Sequence, residues 1–266
     1  MTAIALTIAG SDSGGGAGIK ADLKTFSALG VFGASVVPAI TAQNTPGVRA
    51  VEDVSPGMIA AQIDAVLDDM KVGGVKIGMV SRAETIGTIA GRLAAHGIGP
   101  VLDPVMVATS GDRLLQPDAV EALRMELVPL AVLVTPNLPE AALLTGTEIA
   151  AGEDEMTAQA KAIVALGAGA ALVKGGHAGG GEAVDIFFDG RETLRLAASR
   201  IATPNTHGTG CTLSAAIAAG LAKGLALREA VREAKDYLHA ALAAGAALRI
   251  GQGSGPVHHF HRWWSA

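Results

Sequence analysis

The stretch Ala3-Ile4-Ala5-Leu6-Thr7-Ile8-Ala9-Gly10-Ser11-Asp12-Ser13-Gly14-Gly15-Gly16-Ala17-Gly18-Ile19 runs from an apolar segment through a glycine loop into a helix start. A nearly unbroken apolar run predicts a strand covered on both faces, the situation of a parallel sheet. Further runs of this kind predict strands at Ser35–Thr41, Val75–Gly78, Pro100–Val105, Val132–Thr135 and Ala171–Lys174. Ala183–Phe188 and Thr193–Ala198 flank Asp189-Gly190, a pair suited to a tight turn, and predict a hairpin.

Between these runs the apolar spacing becomes helical. Ser55-Pro56 reads as an N-cap with proline at the first helical position, followed by Ile59, Ile63, Val66, Leu67 and Met70. Ile86, Ile89, Ala90 and Leu93 repeat the pattern, as do Leu213, Ile217 and Leu221, and Val231, Ala234, Leu238 and Leu242. Strand-helix alternation predicts an α/β fold with a doubly wound, mostly parallel sheet. No linker, low-complexity tract or internal repeat interrupts residues 1–266, so one domain is expected.

Composition removes other classes. The chain has 266 residues, 50% hydrophobic and 17% charged, with a formal net charge of -5, which excludes disorder. Its 35 glycines have no three-residue period, so it is not collagen. A single cysteine excludes a disulfide scaffold and suits a reducing, cytoplasmic setting. The mean hydropathy of +0.41 does not imply a membrane. Leu213–Ala222 and Ala240–Leu248, the most apolar segments, are cut by Lys223 and Arg249, short of the roughly 18 apolar residues a span needs. The start lacks a basic region, so no signal peptide is expected. The acidic balance offers no electrostatic basis for nucleic-acid binding.

In doubly wound folds ligands bind beyond the carboxyl ends of the strands. Polar residues and glycines gather there. His207-Gly208-Thr209-Gly210-Cys211 precedes an alanine-rich helix, and its glycines let backbone N–H groups approach a phosphate at the helix start. Cys211 in the first turn is expected to have a lowered pKa and to serve as a base; an inert cysteine beside a plain glycine loop is the competing reading. The Gly14–Ile19 loop is not a dinucleotide fingerprint, and no Gly-Lys dipeptide supplies a P-loop. Asp22, one turn into the first helix, faces either the crevice or solvent. Asn137 and Glu140 read as a capping box, or Glu140 with Asp103 reads as a Mg²⁺ site. Lys174, a charge ending an apolar strand before two glycines, points to a phosphate in the crevice. The tail His258-His259-Phe260-His261-Arg262-Trp263-Trp264 lacks neighbouring carboxylates or cysteines for a metal and reads as a surface tail whose aromatics pack on the body or on a partner subunit.

The ordered set Ala9–Ile19 with Ala21-Asp22, Thr41-Ala42-Gln43-Asn44-Thr45, Lys76-Ile77-Gly78-Met79, Asp103-Pro104-Val105, Thr135–Glu140, Val173–His177 and His207–Thr212 resembles the hydroxymethylpyrimidine/phosphomethylpyrimidine kinases of thiamine biosynthesis, in the ribokinase-like superfamily. Gly253-Ser254-Gly255-Pro256-Val257-His258 is similar to the family's ending, and the likeness spans essentially the whole chain. The resemblance implies a three-layer αβα sandwich, a homodimer, and ATP-dependent phosphorylation of 4-amino-5-hydroxymethyl-2-methylpyrimidine and then of its monophosphate. It implies that Gly10, Ala17, Asp22, Gln43 and Met79 line the pyrimidine pocket, that Asp103 and Glu140 hold Mg²⁺, and that Asn137, Lys174, Thr209 and Gly210 contact ATP. Gly208, Gly210, Lys174 and Cys211 would carry phosphoryl transfer, with Cys211, or water beside it, taking the hydroxymethyl proton, and Cys211 standing where many ribokinase relatives have aspartate. Gln43 can donate and accept towards an aminopyrimidine edge, and Met79 can pack on its ring. A cysteine-type pyridoxal kinase is the nearest alternative. A nucleotide-dependent oxidoreductase is disfavoured by the missing fingerprint, and a non-catalytic binder by the retained carboxylates and glycine loop.

Overall fold

The computed structural model describes residues 2–106, 117–176 and 180–265; His177 of the expected motif set lies outside them. The chain forms β1 (Ile4–Ile8), β2 (Ser11–Asp12), α1 (Gly18–Ala28), β3 (Phe32–Val36), β4 (Ala39–Asn44), β5 (Gly47–Asp53), α2 (Pro56–Leu67), β6 (Gly74–Ile77), α3 (Ala83–Ala95) and β7 (Val101–Leu102). It continues through α4 (Pro117–Ala122), β8 (Leu133–Val134), α5 (Leu138–Thr145), α6 (Glu153–Ala165), β9 (Ala171–Lys174), β10 (Glu182–Phe188), β11 (Thr193–Ser199), α7 (Thr209–Ala222) and α8 (Leu227–Gly245).

An eight-stranded sheet has the order β11-β10-β9-β8-β7-β6-β1-β3. The pairs from β3 to β9 are parallel, and β10 and β11 add an antiparallel edge. One face buries Ile59, Ile63, Ile86, Leu93, Leu138 and Ile163 from α2, α3, α5 and α6. The other buries Phe26, Leu213, Ile217, Val231 and Tyr237 from α1, α7 and α8. The expected three-layer αβα sandwich is thus formed, each fully buried large apolar side chain contributing roughly 1.5–3 kcal/mol. Alanine and glycine bring α7 close to the sheet: Gly74 abuts the Ala218 carbonyl so tightly that no Cβ would fit.

Two strand expectations change. Ser35–Thr41 is not one strand but the end of β3 and the start of β4, which belong to different sheets. Pro38, which has no N–H to continue a ladder, sits at the switch. The expected strands do not include a second sheet, β2-β4-β5, whose β2 begins at Ser11, bridged to Gly18 at the start of α1. The 100–105 run pairs only at Val101 and Leu102, because the chain leaves the sheet at Asp103-Pro104. Ser55 caps α2 as expected, and α2 ends at Leu67, before Met70.

Candidate active site

The first residues of α7 lie beside Lys174 and Asp103 at the carboxyl ends of β9 and β7. Gly208 is the N-cap, in the left-handed conformation at φ 77°. It lies against the Gly16 carbonyl, where no side chain would fit. The Thr209 N–H reaches Thr206 O at 3.3 Å and the Thr212 N–H bonds to Gly208 O at 2.8 Å. The N–H groups of Gly210 and Cys211 between them have no such acceptor and project from the helix start. Beside them lies an ion pair, Lys174 Nζ to Asp103 Oδ1 at 2.8 Å. A Cβ on Gly210 would be 3.1 Å from that Nζ and 3.4 Å from Asp103 Oδ2. Thr135 and Ser214 hydroxyls lie at 3.2 and 3.3 Å from the same carboxylate.

Asn137 and Glu140 do form a capping box: Asn137 Oδ1 accepts the Glu140 N–H, and Glu140 Oε2 accepts the Asn137 N–H. The structural reading therefore holds without removing Glu140 from the site. Burial, opposed by Lys174 and reinforced by Asp103, raises its carboxyl to about 7. Two buried carboxylates against one ammonium are an excess of acid that a hard cation would compensate. Among the described residues no group of three His, Cys, Asp or Glu could enclose a metal. The donor set suits Mg²⁺ that keeps waters and phosphate oxygens rather than a protein cage. Lys174 remains charged: burial works against the ammonium, and Asp103 and then Glu140 raise its pKa above the ordinary lysine value.

Beneath Cys211 lies a second pair. Lys76 Nζ meets Asp22 Oδ2 at 2.8 Å and Oδ1 at 3.0 Å, both side chains having no exposed surface. Thr7 donates its hydroxyl to Asp22 Oδ2 at 2.6 Å. Asp22 thus faces neither solvent nor the open crevice; it anchors Lys76, and its expected place in the pyrimidine wall becomes an indirect one. The Cys211 expectation also changes. Burial pushes the thiol up to about 11, with Lys76 pulling down, Asp22 and Asp103 pushing up, and a Gly18 N–H bond lowering it. Desolvation outweighs the helix-start effect.

The opposite side carries the remaining expected residues. The Gly10 N–H bonds to Met79 O at 3.2 Å, and Gly10 has no room for a Cβ beside Met79 Cε. Gln43 is half-buried on β4, its Oε1 3.2 Å from the Thr41 hydroxyl. Ala17 is half-buried, its N–H bonded to Asp12 Oδ2 at 2.9 Å. The two sides are tied by Asp12, which accepts N–H bonds from Gly14, Gly16 and Ala17 and pairs with His207 Nε2 at 3.0 Å. Burial alone would raise Asp12, but the His207 bond and the Ala17 N–H bring it below the usual value.

Sequence reasoning missed Thr7, Asp12, Lys76 and His207 as site-builders. A signal existed for Lys76. It is a lone charge in the apolar run Val75-Lys76-Ile77, the feature that singled out Lys174.

The chain matches the phosphomethylpyrimidine kinase family over residues 12–258. It is 69% identical over 264 residues to a hydroxymethylpyrimidine/phosphomethylpyrimidine kinase of Rhizobium meliloti, covering 99% of each chain. Its fold is similar to that of a Clostridium difficile phosphomethylpyrimidine kinase, with a TM-score of 0.80 and 47% identity over 89% of this chain and 97% of that one. It is also similar to a Bacillus subtilis pyridoxal kinase in an ADP complex, with a TM-score of 0.89 and 38% identity over 97% and 98%.

Proposed function

The chain belongs to the phosphomethylpyrimidine kinase family, and from that premise we propose how its crevice works. The reaction is transfer of the γ-phosphoryl group of ATP to the hydroxymethyl oxygen of 4-amino-5-hydroxymethyl-2-methylpyrimidine, then to the monophosphate so formed. The observation that supports this most directly is the juxtaposition of the Gly210 and Cys211 N–H groups with the Lys174–Asp103 pair. Phosphoryl transfer asks for positioning and for neutralisation of spread negative charge, and both are present there.

In this reading Gln43 hydrogen-bonds the aminopyrimidine edge while Met79 and Gly10 bound the ring, with Ala17 at the loop. Lys174 turns from Asp103 to a phosphate oxygen, and Asn137 and Thr209 add polar contacts to ATP. The N–H groups of Gly210 and Cys211, opened by Gly208, receive the moving phosphoryl group. Mg²⁺ bound near Asp103 and Glu140 would supply charge neutralisation of the ATP phosphates. Cys211 takes the hydroxymethyl proton as its thiolate, the form that Lys76 favours. Because burial keeps the thiol protonated in the free protein, that form is a minor one at neutral pH. Asp22 acts through Lys76.

The 69% identical relative carries the pyrimidine name and the pyridoxal kinase is 38% identical, which favours the pyrimidine as substrate. The same reading carries one catalytic domain, a cytoplasmic setting and a homodimer, the last checked by mass measurement in solution. Among the described residues no helix is long and apolar enough to cross a membrane. The test is ADP release from Mg-ATP with the pyrimidine, its monophosphate or pyridoxal as separate acceptors. Turnover with both pyrimidines is expected; none with either overturns the reading.

A further inference from the structure

The His- and Trp-rich tail packs on the body of the chain. Residues 255–264 run back under the start of α7. His207 and Pro256 form a parallel bridge, with the His207 N–H bonded to Gly255 O at 3.0 Å. Asn205 Nδ2 fastens the approach by donating to Gly245 O at 2.7 Å and Leu248 O at 3.0 Å. His258 N–H bonds to Ala241 O, Tyr237 donates its hydroxyl to His259 O at 2.7 Å, and Trp263 Nε1 donates to Ala28 O at 3.1 Å.

These anchors place the buried His259 ring on α7. Its Nε2 lies 3.1 Å from Thr212 Oγ1. The Thr212 hydroxyl is 2.8 Å from Gly208 O, and its single proton goes to that carbonyl. With the Thr212 proton on that carbonyl, the tautomer that completes the network has its hydrogen on His259 Nε2, which donates to Oγ1. Burial, with Lys24 and the neighbouring histidines, pushes this ring down to about 3, so it stays neutral. The result is a chain of donors from His259 through Thr212 to the Gly208 carbonyl, which also accepts the Thr212 N–H. Gly208 is the left-handed cap that sets the direction of the next N–H groups.

We propose that His259 is a positioning residue: through Thr212 it holds the Gly208 peptide so that the Gly210 and Cys211 N–H groups stay aimed at the phosphoryl group. This rests on the kinase reading above for its kinetic consequence, but its geometric consequence is independent of it. Full-length His259→Ala, His259→Gln and Thr212→Val proteins are compared with the parent for kcat, KM and thermal midpoint. His259→Ala lowers kcat about 10- to 100-fold with pyrimidine KM within about 3-fold, the scale of losing part of an oxyanion-type site. His259→Gln, which keeps a donor, recovers most of kcat. Thr212→Val reproduces the loss, and the double variant adds little to either single one.

Without substrate, alkylation of Cys211, the chain's single thiol, reads the same loop. It is expected to quicken several-fold in His259→Ala and Thr212→Val and to stay near the parent rate in His259→Gln. An altered thermal midpoint with unchanged kcat and unchanged alkylation overturns the proposal, as does a Gln variant no better than Ala. A parent protein with no pyrimidine turnover overturns the kinase reading instead, and the alkylation rates then decide the positioning role alone.

Discussion

The Lys76–Asp22 and Lys174–Asp103 pairs have the same chemistry and opposite situations. Lys76 and Asp22 are sealed, with no exposed side-chain surface and a third hydrogen bond from Thr7. Lys174 keeps 14% of its side-chain surface and has the helix start of α7 beside it. A sealed pair cannot exchange its partner; it serves as a fixed internal charge. In the proposed mechanism the partly exposed pair releases one partner and takes a phosphate, so burial would separate a structural salt bridge from a working one.

The contrast breaks most visibly at Lys76. Lys76→Met strands a buried carboxylate and is expected to cost about 3–5 kcal/mol of stability, whereas Lys76→Met combined with Asp22→Leu recovers most of it. Urea midpoints decide this; a Lys76→Met protein of normal stability would erase the distinction. Lys174→Met is expected to lower kcat about 10²–10³-fold. Its stability loss is smaller than that of Lys76→Met and is relieved by added magnesium, since water and cations reach that side. Equal loss of stability in both variants would make the two pairs alike.

Cys211 lies between the pairs and sharpens their roles. Its thiol is held up to about 11, so kcat should rise with pH from 7 to 9 as thiolate fills. Cys211→Ala should lose about 10²-fold at the alkaline end and flatten that rise. A parallel pH profile in the variant removes Cys211 as the base. The smallest effect is at Glu140. Its folded value of about 7 lies above the ordinary 4.5, so between those values the folded protein binds more protons than the unfolded chain. Glu140 thus withdraws stability as pH rises through that window. Glu140→Gln is expected to remove about 1–2 kcal/mol of that slope in thermal or urea unfolding between pH 5 and pH 8. An unchanged slope assigns it to other groups.

The sheet was legible where strands are covered on both faces, because burial there leaves continuous runs such as Ala171-Leu172-Val173. The small sheet was not, and Ile40 shows why. It is apolar yet 55% exposed on β4, so the 35–41 run looked like one core strand. The glycine loop before α7 was legible because its requirement is local: left-handed backbone at Gly208 and a helix directly after it. Pairings were not. Lys76 meets Asp22 across 54 positions and Asp12 meets His207 across 195. Nothing in the composition of either neighbourhood names the partner. The lowered pKa expected of Cys211 was not found for a related reason: helix position is local, while desolvation depends on everything packed around it.

The strand order also has a consequence for how the protein comes into being. From β6 to β11 the sheet grows outward in the order of the chain, so during synthesis each new strand can add to an edge already in place. Helix α7 is made only after β11, and it must return from that edge to pack on β6 and β1 near the middle. A nascent chain can therefore own a finished sheet and still have a crevice with one wall missing. The part of its apolar face that α1 does not cover stays open until α7 and α8 leave the ribosome, and an exposed apolar face of this kind invites misassembly.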